Sequence, residues 1–124
     1  MFAESKAFSG FAVPDLREAR AFYEGALGLR VEEQGDDLLT LHLAGDRDVL
    51  VYSKPDHVPA TYTILNFPVD DVDAAVSGLQ ERGVTFERYS GFEQDERGIS
   101  RAPDGPAIAW FTDPAGNILS VLES

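Results

Sequence analysis

The chain has 124 residues, of which 44% are hydrophobic and 26% are charged, as is ordinary for one globular domain. It contains no cysteine, which excludes disulfides, thiolate metal sites and cysteine nucleophiles. No apolar run approaches the roughly 20 residues of a membrane span, and the N-terminus lacks a signal-peptide pattern. We therefore expect a cytoplasmic protein without membrane contact. The formal net charge of −12 disfavours nucleic acid and favours a cationic small molecule.

The first half of the chain is predicted to run strand, helix and three further strands. A short strand over about residues 7–13 ends at Pro14, and Asp15 is a good N-cap for a helix over residues 16–27. Gly28 follows as a typical C-terminal stop of that helix. The three strands that come next are predicted over residues 29–33, 38–43 and 48–53.

The second half begins after residues 54–60, which contain two prolines and are predicted to form a linker. A strand over residues 62–69 precedes a helix over residues 72–82, which Gly83 ends. A strand is predicted over residues 84–89, and residues 90–106 are expected to form a long loop or an irregular strand. Strands over residues 108–111 and 118–122 close the chain as a hairpin around the turn Asp113-Pro114-Ala115-Gly116-Asn117.

The two halves form an internal repeat. Four residues recur 56 positions later, because Phe11, Val13, Asp15 and Ala19 match Phe67, Val69, Asp71 and Ala75. The sequence therefore predicts an α+β fold of two βαβββ modules in a single domain spanning residues 1–124. Module one covers about residues 5–54, the linker residues 55–60, and module two about residues 61–124.

These motifs resemble the vicinal oxygen chelate superfamily, which contains glyoxalases, bleomycin-resistance-type binding proteins, fosfomycin resistance enzymes and extradiol dioxygenases. The resemblance covers nearly the whole chain and implies cup-shaped mixed sheets and a homodimer. It rests on Phe11 through Leu16, Phe22-Tyr23, Leu27-Gly28-Leu29, Asp70-Asp71-Val72, Gly83-Val84 and the turn at Asp113-Pro114-Ala115-Gly116-Asn117.

In metal-dependent members, the resemblance implies a divalent cation held by His, Glu or Gln from the first and last strands of each module. Carried onto this sequence, those places are occupied by Phe8, Val51, Ile64 and Ser120. Hard and borderline ions require carboxylate oxygen or imidazole nitrogen. Three hydrocarbons and one hydroxyl do not provide such a site, so we expect no metal and no cofactor.

Several side chains are candidates to line a ligand site. Leu39, Leu41 and Leu43 share one face of their strand, so His42 lies on the other face. Alternation likewise places Tyr62 and Asn66 on the side of Ile64. Tyrosine and tryptophan rings can stack on a flat or cationic ligand, although each can equally serve core packing. The predicted ligand-binding set is His42, Tyr52, Tyr62, Asn66, Trp110 and Ser120.

The sequence leaves more than one function open. The first is a metal-free, bleomycin-resistance-like protein that sequesters or carries an aromatic or cationic small molecule. The alternative is a metal-dependent lyase or dioxygenase of the same superfamily with non-standard ligands, for example His42 and His57 with an acidic residue. A third is metal-free acid–base catalysis through His42. Whether the protein is an enzyme stays open at this point.

Overall fold

The computed structural model describes residues 1–124 and divides them into two units, Met1–His57 and Val58–Ser124. Their boundary falls inside the predicted proline-containing linker. Each unit holds one mixed sheet that does not close on itself, together with one helical segment. The predicted α+β fold is thereby confirmed. None of the helices has the length and apolar character that a membrane crossing requires.

The first unit contains a four-stranded sheet in the spatial order β1-β4-β3-β2. Strand β1 is parallel to β4, and the other neighbours are antiparallel. All four predicted strands are present, with ends that differ from the prediction by at most two residues. Their bounds are β1 Ser9–Val13, β2 Arg30–Gln34, β3 Leu38–Leu43 and β4 Arg47–Ser53.

The helical segment of the first unit is an α-helix, α1, over Leu16–Arg20 that continues as a π-helix over Ala21–Ala26. As predicted, Asp15 caps its start, accepting hydrogen bonds from two backbone N–H groups of the first turn. Gly28 follows its end with a φ of 71°, a conformation that favours glycine. The predicted helix is therefore present, but its second half is wound as a π-helix and not as an α-helix.

One face of the first sheet is packed under this helix. Phe11 of β1 contacts Tyr23 with ring centroids 5.7 Å apart, and Tyr23 is fully buried. Leu39 and Leu41 are buried on the same side, whereas His42 is partly exposed. This burial pattern confirms the predicted division of β3 into a leucine face and a histidine face. No helix of the unit covers the histidine side, which we call the open face of the first sheet.

The second unit contains a three-stranded sheet in the order β5-β7-β6. Its bounds are β5 Thr63–Val69, helix α2 Val72–Glu81, β6 Ile108–Thr112 and β7 Ile118–Glu123. Strand β5 is parallel to β7, and β6 is antiparallel to it. Helix α2 packs on β6 and β7, and the buried hydrophobic side chains of these three elements are Val72, Val76, Leu79, Ala109, Trp110, Phe111, Leu119 and Val121.

The strand predicted over residues 84–89 is not formed. That segment makes a single antiparallel bridge, Phe86 to Phe111, along the edge of β6. The physical reason lies in Gln94, whose side chain accepts from the N–H of Tyr89 at 2.8 Å and donates to the carbonyl of Glu87 at 2.9 Å. These backbone groups are bonded to a side chain, so the ladder does not extend.

The closing turn is organised by the carboxylate of Asp113. Its Oδ1 accepts from the N–H groups of Ala115 and Asn117, each at 2.9 Å, and its Oδ2 accepts from the Asn117 side-chain amide. Gly116 has a φ of 88°, and a Cβ at that position would lie 3.2 Å from Pro59 Cγ. Glycine is thus favoured there by its conformation, and a Cβ would additionally require Pro59 to shift by a few tenths of an ångström.

Candidate functional site

A row of three side chains crosses the second sheet on the side facing away from α2. Ser120 of β7 lies in register between Asn66 of β5 and Trp110 of β6. Ser120 is fully buried, and its Oγ donates a hydrogen bond to Asn66 Oδ1 at 2.5 Å. Three residues of the predicted ligand-binding set therefore come together in the fold.

The bond from Ser120 fixes the orientation of the Asn66 side chain. A buried hydroxyl has to donate to an acceptor, and the acceptor that the structure places within reach is the amide oxygen of Asn66. The Nδ2 group of Asn66 then points away from Ser120 and has no partner in the structure, while Asn66 itself is exposed. The row thus presents two amide N–H donors to solvent.

Trp110 is buried rather than available for stacking. Tyr89 packs edge-on against its ring at 5.7 Å, and Phe92 packs at 4.8 Å with a tilt of 50°. Phe92 remains 54% exposed, so it supplies the accessible aromatic surface beside the row. Burial, assisted by the nearby Glu87 carboxylate, raises the pKa of Tyr89 and keeps its phenol neutral. Sequence reasoning missed Phe92, because it stands in an irregular, charged segment without periodicity.

Tyr62 and Ile64 do not continue the regular alternation along β5 that places Asn66 in the row. The pairing of β5 with β7 shifts register between Thr63 and Leu65, so Ile64 lies at an irregularity of the strand. Tyr62 precedes β5 and is 69% exposed. Period-2 alternation from Asn66 does not hold across such a shift, which removes the argument that placed Tyr62 beside Asn66.

In the first unit, Leu50 occupies the place that corresponds to Ser120. Gly10 pairs with Leu50, just as Asn66, which is 56 residues after Gly10, pairs with Ser120. The assignment of Val51 to a ligand position was therefore off by one residue. Val51 is fully buried and pairs with Phe11 on the helix-covered face. A shift of one residue moves a side chain to the opposite face of the sheet.

The open face of the first sheet is apolar along its β1–β4 side. Tyr52 of β4 is 40% exposed and pairs with Ala12 of β1. Phe8, just before β1, is 70% exposed. Neither ring contacts another aromatic ring in its unit. Around these two rings, this side of the sheet can pack against a flat apolar surface.

His42, on the same open face, is held between two carboxylates. Its Nδ1 lies 2.9 Å from Asp48 Oδ1 and its Nε2 lies 3.2 Å from Glu32 Oε2. A neutral imidazole donates from only one nitrogen, so this arrangement favours the imidazolium form. Asp48 and then Glu32 raise the pKa of His42 accordingly. With each nitrogen facing a carboxylate, His42 is placed to donate to Asp48 and Glu32.

The residues at the four family positions do not fit a divalent cation. Ser120 is committed to Asn66, and Phe8, Ile64 and Leu50, which takes the place first assigned to Val51, are hydrocarbons. In the second unit, three carboxylates, of Asp71, Asp73 and Glu123, have oxygens within 4.8 Å of one another. That cluster contains neither His42 nor His57.

The three carboxylates already have structural roles. Asp71 accepts from the N–H of Ala74 at 3.1 Å, and Glu123 from that of Val72 at 3.2 Å, which caps α2. Asp73 pairs with Arg101 at 2.7 Å and with Arg97 at 3.3 Å. The cluster is thus accounted for by helix capping and ion pairs, and the metal-dependent alternative gains no support from the donor set.

The first unit runs βαβββ, and the second repeats this module as βαββ with a single bridge in place of the missing strand. The family model of the Glyoxalase/Bleomycin resistance protein/Dioxygenase superfamily matches residues 7–121. The chain therefore belongs to this superfamily, which confirms the resemblance seen in the sequence. Among curated proteins, none matches the sequence significantly.

Several solved structures share the fold. TnmS3, an antibiotic-binding protein from Streptomyces sp. CB03234, is 26% identical with a TM-score of 0.71, and the match covers 97% of each chain. Lactoylglutathione lyase from Agrobacterium tumefaciens is 22% identical with a TM-score of 0.71, over 98% of this chain and 96% of that one. The fosfomycin resistance protein FosX from Listeria monocytogenes is 14% identical with a TM-score of 0.74, over 98% and 93%.

Proposed function

We propose that this protein is a metal-free small-molecule-binding member of the superfamily, which sequesters or carries an aromatic or cationic ligand without transforming it. The observation that carries the proposal is the pair formed by Ser120 and Asn66. Ser120 stands where metal-dependent members need a metal ligand. Its buried hydroxyl instead bonds to Asn66 and orients the amide group of that residue toward solvent. This arrangement serves recognition, because it offers hydrogen-bond donors and no nucleophile with an adjacent base.

The surroundings of Asn66 favour a ligand of mixed character. The amide donors require an acceptor oxygen on the ligand, and the exposed ring of Phe92 offers an apolar surface. The net charge of −12 attracts a ligand that is positively charged elsewhere. Similarity to an antibiotic-binding protein at 26% identity supports an antibiotic-like ligand of this kind.

We further propose that the protein is a cytoplasmic homodimer. The exposed rings of Phe8 and Tyr52 stand on an open sheet face without an aromatic partner in their own unit. Burying such a surface against a second chain would stabilise the dimer. Light scattering coupled to gel filtration should give twice the mass of one chain, and a monomer mass at micromolar concentration would contradict this assembly.

The binding proposal is tested by a thermal-shift screen of cationic and aromatic antibiotics on the full chain. A ligand at 100 times its Kd should stabilise the protein by about 2.7 kcal/mol. The shift should be lost in Asn66→Leu and kept in the control variant Gln34→Leu, which changes an exposed amide on β2. Chromatography should then recover the ligand unchanged after long incubation. Conversion of the ligand, or equal shifts in both variants, would contradict the proposal.

A further inference from the structure

The second unit has a concavity whose lining does not include Asn66, Ser120 or Trp110. Its volume is about 790 Å³, within the range of small-molecule sites. We call it the loop pocket, because residues between 88 and 103 line it throughout. Among them are Arg88, Tyr89, Phe92, Ile99, Ser100 and Arg101. No residue of the Ser120 row is part of its lining.

The loop pocket has a buried polar group without a partner. Ser100 is only 5% exposed, and its backbone N–H and carbonyl both bond to Ile108, at 2.8 and 3.0 Å. Its hydroxyl makes no hydrogen bond within the chain. Because no fully buried side-chain polar atom of the chain lacks a partner, this hydroxyl must be accessible to solvent. Since Ser100 lines the pocket, this hydroxyl is available there to a bound molecule. The neighbouring Ile99 is 1% exposed and provides an apolar floor.

The two arginines of the loop pocket differ in whether a carboxylate pairs with them. Arg101 is paired with Asp73 at 2.7 Å and with Asp95 at 3.6 Å. Arg88 has no carboxylate partner, but its Nη2 donates to the backbone carbonyl of Asp95, which holds the guanidinium in place. Glu93 is the remaining lining carboxylate, and it is exposed with no bond that fixes it. Arg88 is therefore the lining cation that is held in place without a carboxylate partner.

The walls of the loop pocket are held by side-chain bonds to the backbone. Gln94 bonds to Tyr89, Glu87 and Gly98, at 2.8, 2.9 and 2.7 Å. Asp95 Oδ1 accepts from the N–H groups of two further loop residues, at 2.9 and 3.0 Å. The pocket thus exists before a ligand arrives, which lowers the ordering cost of binding.

We propose that the loop pocket is a second ligand site that binds an aromatic carboxylate. The free N–H groups of Arg88 would hold the carboxylate, and the rings of Tyr89 and Phe92 form the wall for the aromatic group. The hydroxyl of Ser100 takes a further hydrogen bond from or to the ligand. This site shares the ring of Phe92 with the proposed function, but its polar contacts, from Arg88 and Ser100, involve neither Asn66 nor Ser120.

The test uses 3-phenylpropanoate as probe, with phenethylamine and 3-phenylpropanol as charge-reversed and neutral analogues. Trp110 is the only tryptophan of the chain and contacts both ring residues of the pocket wall, so its fluorescence reports binding directly. The carboxylate should bind at least tenfold more tightly than either analogue, because a hydrogen bond to a charged group contributes about 1.5–3 kcal/mol.

Matched variants locate the site. Arg88→Gln should weaken the carboxylate at least tenfold, and Ser100→Ala should weaken it severalfold, both with unchanged melting behaviour. Arg82→Gln removes an equal charge from an exposed residue outside the pocket and should leave binding within twofold. Asn66→Leu should also leave it unchanged, which separates this site from the one proposed above. Absence of binding, preference for the amine, or equal losses in Arg88→Gln and Arg82→Gln would overturn the proposal.

Discussion

Ser120 Oγ lies 2.5 Å from Asn66 Oδ1 and connects the last strand of the chain to the first strand of its second module. The hydroxyl is buried whereas the amide is exposed. Ser120 therefore acts on a ligand through Asn66 and does not need to touch it. This makes Ser120 a positioning residue, and Asn66 the residue expected to contact the ligand.

Replacing Ser120 with alanine should reduce both stability and ligand binding. Loss of one buried hydrogen bond should lower the free energy of unfolding by about 1 kcal/mol. Binding of a ligand found in the screen should weaken because the amide of Asn66 is no longer oriented. Urea unfolding and calorimetric titration measure the two effects. Ser90→Ala, at an exposed serine, should change neither, and unaltered affinity in Ser120→Ala would contradict the positioning role.

The contribution of His42 to stability should depend on pH. Asp48 and Glu32 raise its folded-state pKa above the usual value of about 6.5, while Arg30, in register with it, opposes them. The folded protein then binds the proton more tightly than the unfolded chain, so the stabilisation is complete below the unfolded pKa. It is lost as the pH rises through the folded pKa.

His42→Gln provides the corresponding measurement. The difference in free energy of unfolding between wild type and His42→Gln should be larger at pH 6 than at pH 9, as judged by urea unfolding at both values. His57→Gln serves as the control for a general effect of histidine removal. A difference that stays constant or increases with pH would show that the two carboxylates do not stabilise the imidazolium.

Gln94→Ala should disturb the aromatic cluster around Trp110. The substitution leaves the N–H of Tyr89 and two carbonyls without their side-chain partner, which should cost about 1–3 kcal/mol. Phe92 and Tyr89 should then leave the indole, so its emission should shift to longer wavelength and acrylamide should quench it more strongly. Gln80→Ala, on the exposed side of α2, should leave the spectrum as it is. An unchanged spectrum in Gln94→Ala would mean that Gln94 does not hold this segment.

Asp113→Ala should be among the most destabilising substitutions in the second unit. It removes three hydrogen bonds, each 2.9 Å long, from a buried turn. We expect a loss of about 3 kcal/mol in the free energy of unfolding, since the donors of Asn117 are left buried. Thermal or urea unfolding checks this value. Asp104→Ala, at an exposed position, should cost less than about 0.5 kcal/mol, and a similar small cost in Asp113→Ala would refute the assigned role.

Much of the fold could be predicted from local signals in the sequence. Asp15 and Asp71 are helix caps, as the repeat indicated, and Gly28 and Gly83 follow the helix ends with positive φ. The alternation of Leu39 and Leu41 with polar residues correctly divided the faces of β3. These features depend on residues near one another in the chain, which is why sequence reasoning reached them.

The incorrect predictions mostly depend on pairing between distant segments. Aligning Val51 with Ser120 required the register of β1 with β4, and an error of one residue reversed the face. The strand predicted over residues 84–89 does not form, because Gln94 bonds to Glu87 and Tyr89. Secondary-structure propensities do not reveal such side-chain bonds. The π-helical turn after Arg20 was also missed, because an apolar periodicity over so few residues does not distinguish the two windings.

Of the six residues predicted to bind a ligand, three lie together in the fold, and their part in binding stays a prediction. Asn66, Trp110 and Ser120 do share one row, yet Trp110 is covered and Phe92 provides the exposed ring. Exposure of one aromatic residue rather than another follows from the path of the segment between α2 and β6. That path is fixed by side-chain bonds over several residues and leaves no periodic pattern in the sequence.

Metal-free binding is tested most directly by titrating a ligand from the screen into protein prepared without a histidine tag and dialysed against EDTA. The affinity should equal that of undialysed protein and should not change when Mn²⁺, Ni²⁺, Zn²⁺ or Fe²⁺ is added, because Asn66, oriented by Ser120, supplies the polar contact. Loss of binding after dialysis, with recovery on adding one of these ions at one equivalent, would contradict the proposed function.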